Sequence, residues 1–184
     1  YDESLKLEEY AETYNNRGLA YAELNEYERA IEDFNKAIEL DPNDAEAYYG
    51  RGYAYAKLNE YERAIKDYDK AIELNPNDAV AYYNRGVAYA NLNEYERAIK
   101  DYDKAIELNP NFTVAYIRRG FTYAKLNQHE RAIEDYSKAI ELNPTLAEAY
   151  GIRGIAYSVI HRYEESARDL KKAGILFLHS GREE

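Results

Sequence analysis

The stretch LNEYERAIKDYDKAIELNP runs from Leu58 to Pro76 and returns letter for letter from Leu92 to Pro110, thirty-four positions later. An active site needs one constellation of groups, whereas a stacked architecture needs the same interface many times. Within the stretch, YERAIKDYDKAIEL carries apolar residues at three- and four-residue spacing, as a helix that buries one stripe does. That helix must stop before Pro76, because proline disfavours helical geometry at Asn75.

Working outward at this period, the chain divides into copies at 11–44, 45–78, 79–112, 113–146 and 147–180, preceded by 1–10, an expected extension of the first helix, and followed by a tail at 181–184. Gly18, Gly52, Gly86, Gly120 and Gly154 share one position, as do Ala37, Ala71, Ala105, Ala139 and Ala173, and Tyr21, Tyr55, Tyr89, Tyr123 and Tyr157. The only prolines, Pro42, Pro76, Pro110 and Pro144, share another. In 45–78 a second amphipathic segment, AEAYYGRGYAYAKL, precedes the first, so the unit reads as a helical hairpin. Asn59 tolerates the left-handed conformation that closes a helix C-terminus, and Asp78 suits the N-cap of the next copy. The pattern leaves no room for strands. Small residues at Gly52, Ala64 and Ala71 let helices approach, and Tyr48, Tyr55, Tyr61 and Tyr68 fill the space beside them, which accounts for 22 tyrosines in a chain without tryptophan.

The period and the order Tyr48, Gly52, Tyr55, Ala64, Tyr68, Ala71, Pro76 resemble the tetratricopeptide repeat (TPR) over residues 11–180. The resemblance implies an all-α fold, a right-handed superhelical solenoid of five antiparallel helix hairpins in one continuous domain. It also implies a non-enzymatic scaffold that captures a peptide or partner helix on a concave face lined by first helices. Phe34 and Leu170 depart from the usual second-helix tyrosine, and Ser166 stands where other copies have alanine.

Composition bounds the partner. A net charge of -11 disfavours nucleic acid and anionic membranes, which require a basic face. Neutral or basic protein ligands with apolar anchors fit better. The longest apolar run, Ile175–Leu178, is far below the roughly 20 residues that span a bilayer. The N-terminal YDESLKLEEY lacks the regions of a secretory signal, and a cytoplasmic location is favoured. A chain that opens on Tyr1 without any Met reads as a fragment or trimmed product. With no Cys and no pair of histidines among His129, His161 and His179 at metal-ligand spacing, neither thiolate chemistry, a metal site nor a cofactor is expected. Carboxylates recur in every copy, whereas a catalytic pair would occur once.

One recurrent position departs from the family. Arg17, Arg51, Arg85, Arg119 and Arg153 stand where an apolar residue is usual, and the second helices repeat Asp33, Asp67, Asp101, Asp135 and Asp169. These predict structural ion pairs between helices. The rival for each aspartate is the arginine four residues earlier, such as Arg63 before Asp67. In the last copy Glu165 replaces that rival while Arg153 and Asp169 remain, which favours the pairing between helices.

The resemblance also places groove positions on the first helices, where the copies differ. Copy one offers Asn15, Asn16, Leu19 and Glu23, and copy five Gly151, Ile152, Ile155 and Val159. The central copies present Tyr49, Tyr53, Tyr83, Val87, Ile117 and Phe121 with Asn84 and Arg118 as polar anchors, a strip suited to an extended peptide or amphipathic helix. The carboxylate clamp that some members use for chaperone tails is matched here only by Asn84 and Arg118, with Tyr49, Tyr53 and Val114 at its other places, so that ligand is not favoured. At the ends, Leu5 and Leu7 are expected to be partly exposed, and Ile175, Leu176, Phe177 and Leu178 form an apolar patch where an array needs a polar cap. The alternative function is therefore a self-associating module, a homo-oligomer joined through its terminal repeats.

Overall fold

A computed structural model describes residues 2–180, with side chains from Tyr10 to His179. The tail 181–184 and the side chains of Leu5 and Leu7 lie outside the described residues. The described residues form ten helices and no strand: α1 (Asp2–Glu23), α2 (Tyr27–Leu40), α3 (Ala45–Lys57), α4 (Tyr61–Leu74), α5 (Ala79–Asn91), α6 (Tyr95–Leu108), α7 (Thr113–Lys125), α8 (His129–Leu142), α9 (Ala147–Val159) and α10 (Tyr163–Ser180).

They group into two compact units, Tyr1–Glu94 and Tyr95–Glu184. In the first unit α1 pairs with α2 and α3 with α4, while α2 packs on α3, α4 on α5, and the first helices α1, α3 and α5 touch in succession. In the second, α7 pairs with α8 and α9 with α10, with α6 against α7 and α8 against α9. Each unit is thus built by one rule, a hairpin covered by the next first helix.

The sequence dictates where each helix starts and stops. Asp44 Oδ1 accepts hydrogen bonds from the backbone N–H groups of Glu46 and Ala47, and Asp78 Oδ1 does the same for Val80 and Ala81. Donors that a helix N-terminus would leave unpaired are thereby satisfied. At the other end of α3, the N–H of Glu60 donates to the Tyr55 carbonyl and that of Asn59 to Ala56, around an Asn59 φ of 61°. This is the Schellman closure, and Asn25, Asn93, Asn127 and His161 occupy the same left-handed conformation in the other hairpins. The second helices α2, α4, α6 and α8 all end two residues before a proline. α10 meets none and runs one turn further, to Ser180.

Packing follows the small-and-large pattern. The Phe34 ring lies where a side chain on either Gly18 or Gly50 would stand, so one aromatic fills the gap between α2 and two first helices. Tyr68 lies against Gly52, and Tyr136 against Gly120, in the same way. Isoleucines on the second helices extend the contact forward: Ile31 packs against Tyr55, Ala64 and Tyr68 of the next hairpin, and Ile99 against the cluster of Tyr123, Ala132 and Tyr136.

Candidate functional site: the first-helix surfaces

Polar contacts between helices fix the register of the first-helix surfaces. Arg17 donates Nε and Nη2 to the two carboxylate oxygens of Asp33, at 2.6 and 2.7 Å. Arg51 holds Asp67, Arg119 holds Asp135 and Arg153 holds Asp169 with the same two-pronged geometry, all within one hairpin. Arg85 lies in the first unit and Asp101 in the second, and both are engaged in polar interactions. The remaining guanidinium nitrogen reaches back to the preceding second helix: Arg51 Nη1 to Asn35, Arg85 to Asp69, Arg119 to Asp103 and Arg153 to Ser137. Each such arginine therefore joins two consecutive hairpins. The within-helix rival Arg63 bonds Glu60 and the Tyr55 hydroxyl and stacks 3.9 Å over the Tyr55 ring, and Arg29 repeats this with Glu26 and Tyr21.

In the first unit, Tyr49 of α3 is the pivot of the surface. Its ring leans on Tyr68 with centroids 5.9 Å apart, and its hydroxyl accepts a hydrogen bond from Asn84 Nδ2 on α5 at 2.8 Å. Burial, with a smaller push from Asp78, raises the Tyr49 phenol to about 12. Two open hollows flank the ring. One, of about 420 Å³, is walled by Leu19, Ala45, Tyr49, Ala71 and Val80, with Glu46, Asn75 and Asp78 supplying polar groups. The other, of about 290 Å³, lies among Leu19, Ala22, Glu23, Tyr49, Gly50 and Tyr53. Tyr53 carries Lys57 Nζ 5.1 Å above its ring. Tyr83 and Val87 are half-buried on α5. Asn15, a groove position by resemblance, is buried instead, and its Oδ1 has no hydrogen-bond partner.

In the second unit, Ile117, Arg118 and Phe121 lie on α7. Ile117 packs in the cluster of Tyr116, Ala139 and Ala149, so much of its surface serves the fold. Arg118 and Phe121 are exposed, with Lys125 Nζ 5.2 Å from the Phe121 ring. Phe121 edges a hollow of about 170 Å³ together with Ile152, Ile155 and Val159 of α9 and His129 and Tyr136 of α8. Among the described residues no group of acids and histidines is arranged to hold a metal ion. No helix there is long and apolar enough to cross a membrane.

The wall residues Ala45, Glu46 and Val80 were not singled out by sequence reasoning, and Asp78 only as an N-cap, because groove positions were taken from the middle of the first helices. One signal for them exists: copies three and four place Val80 and Val114 where copies two and five have Glu46 and Glu148, and both valines stand exposed.

Known proteins share this architecture. The tetratricopeptide repeat model matches residues 45–78, 79–112 and 113–146, and a TPR repeat model matches 18–59. The chain belongs to the tetratricopeptide repeat family and is an all-α repeat solenoid. It is similar to a crystal structure of MamA, with 29% identity over 90% of this chain and 96% of that one and a TM-score of 0.85. MamA from Desulfovibrio magneticus RS-1 is similar at 25% identity, over 92% and 96% of the two chains, with a TM-score of 0.86. The crystal structure of YrrB, a TPR protein with an unusual peptide-binding site, is similar at 28% identity over 92% and 90%, with a TM-score of 0.75. No curated protein matches the chain by sequence.

Proposed function

We propose that the chain is a non-enzymatic protein-interaction scaffold whose first-helix surface holds a short peptide or partner helix with apolar anchors and a positive charge. The observation that carries this reading is Tyr49, half-buried between two open apolar hollows and tethered by Asn84, with Glu46, Asp78 and Glu23 on the hollow walls. An apolar side chain fits the walls of Leu19 and Val80, and a neighbouring lysine or arginine meets the carboxylates. Likeness to YrrB supports a peptide ligand. Tyr53, Tyr83, Asn84 and Val87 belong to the proposed surface in the first unit, and Ile117, Arg118 and Phe121 to that in the second.

Selection from a random peptide library tests this. Enrichment of sequences pairing Leu or Phe with Lys or Arg, lost with Tyr49→Ala and Val80→Asp, is the expected result. Absence of enrichment, or enrichment that both variants retain, overturns it.

A second reading, self-association through the terminal repeats, rests on the exposed side chains of Ile175, Phe177 and Leu178, beside a half-buried Leu176. Mass that rises with concentration in sedimentation, and that falls back with Leu178→Glu, is its expected signature.

A further inference from the structure

The hollow between α1 and α3 is walled by Leu19, Ala22, Glu23, Gly50 and Tyr53 beside Tyr49. Three repeats on, Phe121, Ala124, Lys125, Ile152 and Ile155 take the positions of those five, so the hollow between α7 and α9 is the same place in the fold. Its openness belongs to the repeat and not to the end of the chain, because the hollow between α1 and α3 stays open although α4 and α5 follow it. Phe121 is 48% exposed with α8, α9 and α10 after it. The position of Val159 is exposed in every copy, as Glu23, Lys57, Asn91 and Lys125.

The two hollows differ in charge. Where the first has Glu23, with Glu46 and Asp78 around the adjoining hollow, the second has Lys125, its Nζ 5.2 Å from the Phe121 ring. Arg118, one turn earlier on the same face of α7, is exposed. Among the described residues neither cation pairs with a carboxylate, whereas Arg17, Arg51, Arg119 and Arg153 all do. The N-caps change in the same direction: Asp44 and Asp78 precede α3 and α5, but Phe112 and Leu146 precede α7 and α9. No carboxylate lines the second hollow, and Glu148, on the same stripe of α9 as Ile152, stands a turn before it. A chain of net charge -11 thus places two cations without carboxylate partners beside an apolar hollow. An acidic residue brought there gains attraction, while a lysine meets like charge.

We propose, on the premise that the first-helix surfaces hold peptide, that the hollow between α7 and α9 takes a large apolar side chain from an acidic segment of another protein. The apolar side chain lies on Phe121, Ile155 and Val159, and glutamates or aspartates beside it in the segment meet Lys125 and Arg118. The two units thereby select segments of opposite charge.

Two short peptides with both ends capped test it, each with a central leucine, flanked by glutamates in one and by lysines in the other. Methyl NMR signals of Ile155 and Val159 report on this hollow, and those of Leu19 and Val80 on the first unit. At low salt the glutamate peptide is expected to move the Ile155 and Val159 signals at about tenfold lower concentration than the lysine peptide, the combined effect of exposed charge pairs gained and lost. The double change Arg118→Glu with Lys125→Glu should reverse that order, and Tyr49→Ala should leave it unchanged. Equal titration by the two peptides, no movement with the glutamate peptide, or an order untouched by the double change overturns the proposal. So does a concentration-dependent rise in mass abolished by Val159→Glu, because a second copy would then fill the hollow. Movement of Ile155 by the glutamate peptide, with Leu19 and Val80 unmoved by the lysine peptide, supports this site while overturning the first-unit reading.

Discussion

Arg51 grips Asp67 through two hydrogen bonds of 2.7 Å and reaches back to Asn35 with a third, so one guanidinium on α3 fastens α4 and α2 together. Asp67 is buried, and its charge is tolerable only because the arginine is there. Asp67→Ala leaves that guanidinium without its main partner and is expected to cost about 3 kcal/mol in urea unfolding. The double change Arg51→Met with Asp67→Leu should recover much of the loss, since apolar packing replaces a buried pair at little net cost. Lys70→Ala, which removes the exposed contact to Glu73, should leave the midpoint unmoved.

The buried tyrosines set an upper pH limit. Desolvation raises the Tyr68 phenol above its ordinary value and pushes Tyr136 up to about 12. The folded chain keeps these protons where the unfolded chain, with phenols near 10, gives them up. Their contribution is complete below pH 10 and is lost as the pH rises from there through the folded values. The loss is about 1.4 kcal/mol per pH unit for each group within that window. Tyr68→Phe is expected to remove one such increment from the slope of unfolding free energy against pH between 10 and 12. An unchanged slope would remove the phenol from the account.

The hairpins were legible because helix period, proline stops and recurring small residues act locally and repeat, so one copy decodes the others. The fixed offset between arginine and aspartate was the signal for the four contacts seen within hairpins, Arg17 to Asp33, Arg51 to Asp67, Arg119 to Asp135 and Arg153 to Asp169. The hollows beside Tyr49 were not legible. They depend on Leu19 of α1, Tyr49 of α3 and Val80 of α5 meeting across three hairpins, and no periodic signal marks which variable side chains converge. Asn15 misled for the same reason, since burial there comes from packing that spacing does not reveal.

His161 breaks the pattern of asparagines at the left-handed closing position, with φ at 62°. Asparagine is, next to glycine, the usual residue at such a closing position, and His161 contacts Tyr163 both through Nδ1, 2.7 Å from the hydroxyl, and ring edge to ring face, with centroids 5.8 Å apart. Tyr61 makes the equivalent contact to Asn59 Oδ1, so asparagine preserves it. His161→Asn is expected to raise stability by about 0.5 kcal/mol, whereas Asn59→Ala should lower it by about 1 kcal/mol. Thermal unfolding of both variants beside the parent chain measures each shift.

Gly50 has a different reason to be glycine, because its backbone conformation is ordinary. A Cβ built on it would lie 2.5 Å from the Phe34 ring and one on Gly18 2.8 Å, so the ring is wedged from both sides. Phe34 is fully buried and cannot swing away into solvent. Gly50→Ala should therefore cost about 1–3 kcal/mol, the range for overpacking a filled core, even though alanine favours a helix more than glycine does. Pairing it with Phe34→Leu opens the wedge. If the steric account is right, the double variant is more stable than the sum of the two single losses predicts, by about 1 kcal/mol in a double-mutant cycle. Additive losses would mean that Gly50 is needed for something other than the ring.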